Sequence, residues 1–278
     1  SAAYALISYY TAYLKAHFPV EFMAALMSTE MNNTEKIIMY INACRDMDVT
    51  VRQPDINLGV ARFSVYEGDI IYGMAGIKNV GEEAIDEIVA ERRANGPFKD
   101  FIDFITRVNL RRVTKRVIEY LIRAGAFDSM GLTRSGLIAS LDKAVSYGQK
   151  KNKEKESGMI NMLDMLGGGG EAEEPAVVSF EEFNMPEMDD KETQRLEKEA
   201  LGFYLTCHPL LSYRNEMSRL GLQTIENCPN MAHEATVKLG AIITGYKEII
   251  TKKSGKKMAF ATIEDMTGSG ELIIFPKT

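Results

Sequence analysis

The sequence predicts an α+β multidomain chain, mostly helical over its first two thirds and β at its end. Three patterns carry that reading. Apolar residues recur at helical spacing in Ala84, Ile85, Ile88 and Val89, and again in Val117, Ile118, Leu121 and Ile122. Residues 236–278 alternate and turn in the manner of a β-meander. Between these regions, residues 149–189 are polar and Gly-rich, without a period. An apolar fraction of 45% in 278 residues supplies several small cores.

Residues 1–50 read as helices, with Tyr4, Ile7, Leu14, Phe18, Phe22 and Leu26 as anchors and Pro19 suited to a first helical turn. A helical pattern already under way at Ser1 is expected of a piece cut from a longer chain. Residues 51–75 form a β-hairpin connector, in which Phe63 and Val65 lead into a Glu67-Gly68-Asp69 turn and Ile70-Ile71-Tyr72 returns. Residues 76–148 are a helical domain. It opens with a tight turn into an amphipathic helix, Ile77 to Arg92, where Asn79 and Gly81 are expected to supply positive φ. Asn95-Gly96-Pro97 stops that helix, and Phe98, Phe101, Phe104, Ile105 and Val108 mark the next. Thr114 caps a third helix, and Thr133 a fourth that runs to about Tyr147. Residues 149–189 are expected to be a flexible linker holding the apolar island MINMLDML. Residues 190–235 form a helical connector, with a helix from about Asp190 to Gly202 or Pro209. In residues 236–278, a Lys-rich tip at Ser254-Gly255 and a turn at Thr267-Gly268-Ser269-Gly270 separate three strands.

The turn at Asn79-Gly81 aims backbone N–H groups and the positive end of a helix outward, which makes a phosphate site. The pattern resembles a helix-hairpin-helix motif, and Ala124-Gly125-Ala126-Phe127-Asp128 between two helices is a second, weaker example. Duplex DNA is therefore expected at Ile77, Lys78, Asn79, Val80 and Gly81, with Arg111, Arg112, Lys115 and Arg116 as nearby cations. The net charge of −6 does not oppose this. Glu171–Glu199 holds 11 acidic and 3 basic residues, a net of −8, so the rest of the chain stands at +2. The meander resembles the opening half of an OB fold, truncated after three strands. Its basic tip of Lys252, Lys253, Lys256 and Lys257 is the expected contact for single-stranded DNA. Phe260 is the neighbouring ring, expected to alternate inward to the core.

Other chemistries find less support. No run approaches the ~18 apolar residues of a membrane span, and no signal peptide leads the chain. Cys44, Cys207 and Cys228 are far apart, which fits a reducing cytoplasm better than a disulfide framework. No carboxylates gather as two-metal catalysis requires, so no catalytic residue, metal ligand or cofactor is expected in this chain. A DNA glycosylase of the helix-hairpin-helix type is disfavoured because Glu82 and Glu83 follow Gly81 and Phe98 follows Gly96-Pro97.

The segments SAAYALISYYTAYLKAHFPVEFMAALM, QPDINLG, YGMAGIKNVGEEAIDEIVAER, GPFKDFIDF, LIRAGAFDSMG and LEKEALGFYLTCHPL, in this order, resemble the alpha subunit of bacterial DNA polymerase III, a C-family replicative polymerase. The resemblance covers nearly the whole chain. It implies the end of a fingers domain, tandem helix-hairpin-helix motifs that hold primer-template duplex, and the start of an OB domain near single-stranded template. It also implies a clamp-docking peptide, with Met159, Ile160, Asn161, Met162 and Leu163 at the matching place. Met stands there where Gln is usual, and Leu where Phe is usual. Other replicase subunits are implied partners. The Mg²⁺ of polymerisation belongs to a palm domain outside this sequence. A standalone scaffold that binds a clamp or partner without DNA is the alternative reading.

Overall fold

The computed structural model describes residues 2–156, 179–206, 208–250 and 256–276. Three helices open the chain: α1 (Ala2–His17), α2 (Pro19–Thr29) and α3 (Thr34–Asp46). Pro19 starts α2, where its missing N–H costs nothing. Asn33 caps α3 by accepting from the Lys36 N–H at 3.1 Å. A small sheet follows, made of β1 (Val51–Arg52), β2 (Ser64–Tyr66) and β3 (Asp69–Ile71). β3 lies in the centre, antiparallel to β2 and parallel to β1. Both turn residues between β2 and β3, Glu67 and Gly68, have positive φ, as a two-residue hairpin requires. The hairpin is legible in the sequence and β1 is not, because its two residues carry no period of their own.

Four helices then wrap one core: α4 (Glu82–Asn95), α5 (Phe101–Arg107), α6 (Lys115–Arg123) and α7 (Arg134–Glu156). Asp100 caps α5 through the Asp103 N–H at 2.8 Å, and Thr133 caps α7 through the Gly136 N–H at 3.1 Å. Phe98, Phe101, Phe104 and Phe127 meet edge to face at the centre, with centroids 5.0–5.1 Å apart. Truncating any of these rings to Ala is expected to cost about 3–5 kcal/mol. The buried residues from Met23 to Leu205 form one continuous cluster, which crosses the boundaries drawn from the sequence at 50, 75 and 189.

Two parts of the expected flexible linker are ordered. α7 continues past Tyr147 to Glu156 because it packs on the α5–α6 connection: Gly148 lies so close to Ile105 that a Cβ would meet Cγ2 at 2.5 Å. Asn152 donates to the Val108 carbonyl at 3.1 Å. Farther on, Phe180 and Phe183 pack onto the core, with Phe183 6.3 Å from Phe101. Met159–Leu163 lies outside the described residues.

Helix α8 (Asp190–Leu201) is capped by Asp189 and ends at Gly202, whose φ of 94° forms the left-handed cap. A short helix, α9 (Arg214–Arg219), precedes an antiparallel sheet of β4 (Ile242–Ile250), β5 (Lys257–Glu264) and β6 (Ser269–Ile274), with β5 central. Among the described residues, no helix is long and apolar enough to cross a membrane.

Candidate nucleic-acid interface

The first hairpin is anchored by its apolar residues. Ile77 and Val80 are buried, and the Val80 N–H donates to the Ile77 carbonyl at 3.2 Å. The Lys78 N–H is also taken, donating to the Ala200 carbonyl at the end of α8 at 2.9 Å. The exposed surface is thus the Lys78 side chain, Asn79, Gly81, Glu82 and Glu83. Asn79 has the expected positive φ of 62°, whereas Gly81 corrects the sequence reading: its φ is −80°. Gly81 is the N-cap of α4, and a Cβ there would meet nothing within 4 Å. Neither a positive φ nor internal packing requires glycine at that place, and its position as N-cap, where glycine is among the favoured residues, accounts for it.

The second exposed helix start has the opposite electrostatics. Residues 108–114 turn tightly before α6, with the Arg112 and Val113 N–H groups donating to the Asn109 carbonyl at 3.0 and 2.9 Å. Asn109 Oδ1 accepts from the Arg111 N–H at 3.0 Å, and Thr114 then caps α6. Arg111, Arg112, Lys115 and Arg116 are all exposed, and no acidic residue lies in the first turn of α6. Cations at a helix N-terminus oppose the helix dipole. α4 instead begins with Glu82 and Glu83, which complement it.

Glu87 joins the two regions. Its Oε1 accepts from the Asn109 N–H at 3.3 Å, and its Oε2 lies 3.5 Å from Arg112. Glu87 sits five residues into α4, about 7.5 Å along the axis from its start, so the basic turn packs against the second turn of α4. Glu87 thus tempers Arg112, and Lys115 pairs with Asp142 at 2.5 Å. The Lys115–Asp142 pair is exposed, whereas Glu87 is half-buried against its exposed arginine. Beyond them opens a cleft of about 500 Å³ that includes Arg111, Gln149 and Lys153. That cleft is invisible in the sequence because Gln149 and Lys153 fall in the stretch that reads as linker.

Two other members of the basic run are structural. Arg107 pairs with Glu91 and Asp103, donates to the Gly96 carbonyl at 2.7 Å, and lies 4.5 Å over the Phe98 ring. Arg123 pairs with Glu119 and Glu199.

The weaker hairpin, Ala124–Asp128, serves the interior. Gly125 has φ 82°, and a Cβ there would meet the buried Arg134, which pairs with Asp128 at 2.6 Å. The start of α7 is filled from within: the Glu187 carboxylate accepts from the Arg134 N–H at 2.8 Å and the Ser135 N–H at 3.2 Å. An anion-binding helix start is present there, and it already holds an anion.

In the β-meander, Ile250 stands opposite Lys257, so Lys252 and Lys253 fall in the tip outside the described residues. Lys256 and Lys257 are exposed, and Lys257 pairs with Glu248 at 2.7 Å. The buried face of β5 is Ala259, Ala261 and Ile263. Phe260 therefore points to the opposite, half-open face, across from Lys247, which corrects the inward position expected from alternation. Alanines occupy two of the three inward positions of β5, and the larger Phe260 between them conceals the pattern.

Among the described residues, no group of three or more His, Cys, Asp or Glu side chains is arranged to hold a metal ion.

A helix-hairpin-helix motif model matches residues 48–137. The chain is 38% identical over 277 residues to DNA polymerase III subunit alpha of Vibrio cholerae, covering 99% of this chain and 23% of that one. To the subunits of the same name from Treponema pallidum and Thermus aquaticus it is 37% identical, again over 99% of this chain and over 23% and 22% of theirs. The chain thus spans about a quarter of the length of the curated relatives it matches. With that similarity running almost end to end and the helix-hairpin-helix region within it, the chain is homologous over nearly its whole length to a segment of DNA polymerase III alpha subunits.

Proposed function

We propose that the chain is a non-catalytic segment of a bacterial replicative DNA polymerase alpha subunit, and that it holds primer-template duplex by the sugar-phosphate backbone. The observation that carries this reading is the pair of exposed helix starts, α4 and α6, whose segments are tied together through Glu87. Asn79, Gly81 and the start of α4 offer backbone N–H groups without a partner among the described residues. Arg111, Arg112, Lys115 and Arg116 supply charge. Ile77 and Val80 set the hairpin's shape, and Lys78 adds a cation at its edge. Such contacts position a duplex without reading its bases.

In the intact subunit, Lys252, Lys253, Lys256 and Lys257 would face single-stranded template at an OB domain, with Phe260 available for stacking. Met159, Ile160, Asn161, Met162 and Leu163 would dock on the sliding clamp, and other replicase subunits would complete the cytoplasmic assembly. The parent is a DNA-directed DNA polymerase in this reading. The segment alone would be inactive, and Mg²⁺ would be held by a part of the relatives that this chain does not span.

Fluorescence anisotropy with primed duplex tests the DNA contact and separates it from a scaffold that binds only protein. Saturable, salt-sensitive binding that is equal for unrelated sequences is expected, and no binding at low salt would remove the reading. For the clamp, each buried Met or Leu side chain is worth about 1.5–3 kcal/mol before ordering costs, which leaves micromolar affinity. Replacing Met162 and Leu163 together by Ala should abolish clamp binding and spare duplex binding. Parental clamp affinity in that variant would move the docking site elsewhere.

A further inference from the structure

A cleft of about 340 Å³ lies between α3, the first hairpin, the loop after α8 and the β5–β6 turn, and backbone binding of a duplex leaves it unused. Its shape follows from Gly202, where the chain leaves α8 and doubles back. The buried Glu197 carboxylate fixes the return by accepting from the N–H groups of Leu205 and Thr206 at 2.5 and 2.9 Å, and from the Thr206 hydroxyl at 2.6 Å. That loop delivers His208 to the cleft wall with only 9% of its surface exposed. His208 Nδ1 accepts from the Leu210 N–H at 3.1 Å, so the neutral ring carries its proton on Nε2. Nε2 is buried and has no partner among the described residues. Burial lowers the pKa of the ring, which keeps it a neutral donor at pH 7.

The rest of the wall fits an anion carried on an apolar body. Lys78 lines the cleft, and its ammonium has no partner among the described residues. Arg45 lines it too, spending one N–H on Asn42 and another on the Leu205 carbonyl. Ile38, Phe203 and Leu211 supply apolar surface. The acidic groups present have their own partners: Glu264 pairs with Lys198, and both oxygens of Asp265 are occupied by backbone N–H groups, although Asp265 keeps its charge. Glu35 remains, in the first turn of α3, where the helix dipole favours it.

We propose that this cleft binds a small organic phosphate monoester, with the phosphate received by His208 Nε2–H, Lys78 and Arg45 and the body resting on Ile38, Phe203 and Leu211. Three donors from three separate elements match the three terminal oxygens of a phosphate better than the two of a carboxylate. The cleft admits about one nucleotide and excludes a double helix. A free mononucleotide and the terminal phosphate of a DNA strand present the same chemistry. This site does not rest on the duplex reading, although the two share Lys78.

The chain has three histidines, so ring-¹⁵N-labelled His gives a spectrum simple enough to follow His208 directly. Titration with dAMP should move the His208 ring signals saturably, at lower concentration than inorganic phosphate does. His208→Phe keeps the ring and removes the donor, and it should weaken dAMP binding about tenfold or more. A 5′-phosphorylated dinucleotide that binds as tightly as dAMP would support the site and name a strand end as its source, and weaker binding would name the free nucleotide. The proposal fails if His208 shows no saturable change, if inorganic phosphate binds as tightly as dAMP, or if His208→Phe binds with parental affinity. Should that variant not fold, the titration of the parental chain decides alone.

Discussion

Helix α4 and the turn that leads into α6 meet at Glu87, and the two helices treat the positive end of a helix in opposite ways. α4 places Glu82 and Glu83 in its first turn, so its dipole is complemented from within. α6 places Lys115 and Arg116 there, after Arg111 and Arg112 in the preceding turn, and has no acid of its own in that turn; Glu87 and Asp142 reach Arg112 and Lys115 from other helices. α7 is a third case, since its start is filled by Glu187 from a distant segment. A helix that needs nothing from outside carries its own anion. By that criterion α7 is complete, α4 is nearly so, and α6 is the start without an anion of its own. In the proposed duplex grip, the first hairpin would contribute backbone N–H groups and the basic turn charge.

Removing the charge should have the largest effect. Arg111, Arg112, Lys115 and Arg116 changed together to Ala should lower duplex affinity at low salt by roughly two orders of magnitude or more. Thermal stability should hardly change, because all four side chains are exposed. Anisotropy and a melting curve on the same sample measure both. A smaller loss, about tenfold or less, is expected from Gly81→Pro, which removes one N–H able to bind phosphate. Its φ of −80° is already close to that of proline, so the fold should tolerate the ring. Parental affinity in a folded Gly81→Pro chain would leave α6 as the contact and take α4 out of the interface.

Glu87→Gln sharpens the comparison from the other side. It removes the carboxylate that ties Arg112 to α4, so duplex affinity should rise a few-fold while stability falls by no more than about 1 kcal/mol. Least is expected at the third helix start. Glu187→Ala should cost about 1 kcal/mol in chemical denaturation, the size of a missing cap, and leave duplex affinity within about twofold. A large rise in affinity there would mean that α7 competes for phosphate after all.

What is legible in the sequence, and what is not, divides along the range of the interaction. Pro19, Asp189 and the caps at Thr114 and Thr133 act within three or four residues, so their roles can be read locally. The Glu67-Gly68 turn is legible for the same reason. Gly81 misleads because glycine serves both positive φ and helix N-caps, and only the backbone angle separates the two uses. Glu187 meets Arg134 across 53 positions, and nothing near either residue announces the other. The far end of α7 is hidden because its polar sequence looks like linker, while the contact that holds it, Asn152 on Val108, is 44 positions distant. For the interface, the cations are visible as a run. Their division into outward Arg111, Arg112, Lys115 and Arg116 and inward Arg107 and Arg123 requires the fold.

The salt dependence of duplex binding tests the central claim most directly. The logarithm of the binding constant is measured against the logarithm of salt concentration, for the parental chain and for the four-cation variant, on two duplexes of unrelated sequence. One steep line is predicted for the parental chain on both duplexes. For the variant, the predicted line is shallower by about 0.9 for each phosphate it no longer neutralises. Equal slopes for the two proteins, or a parental chain that distinguishes the two sequences, would contradict a backbone grip centred on the start of α6.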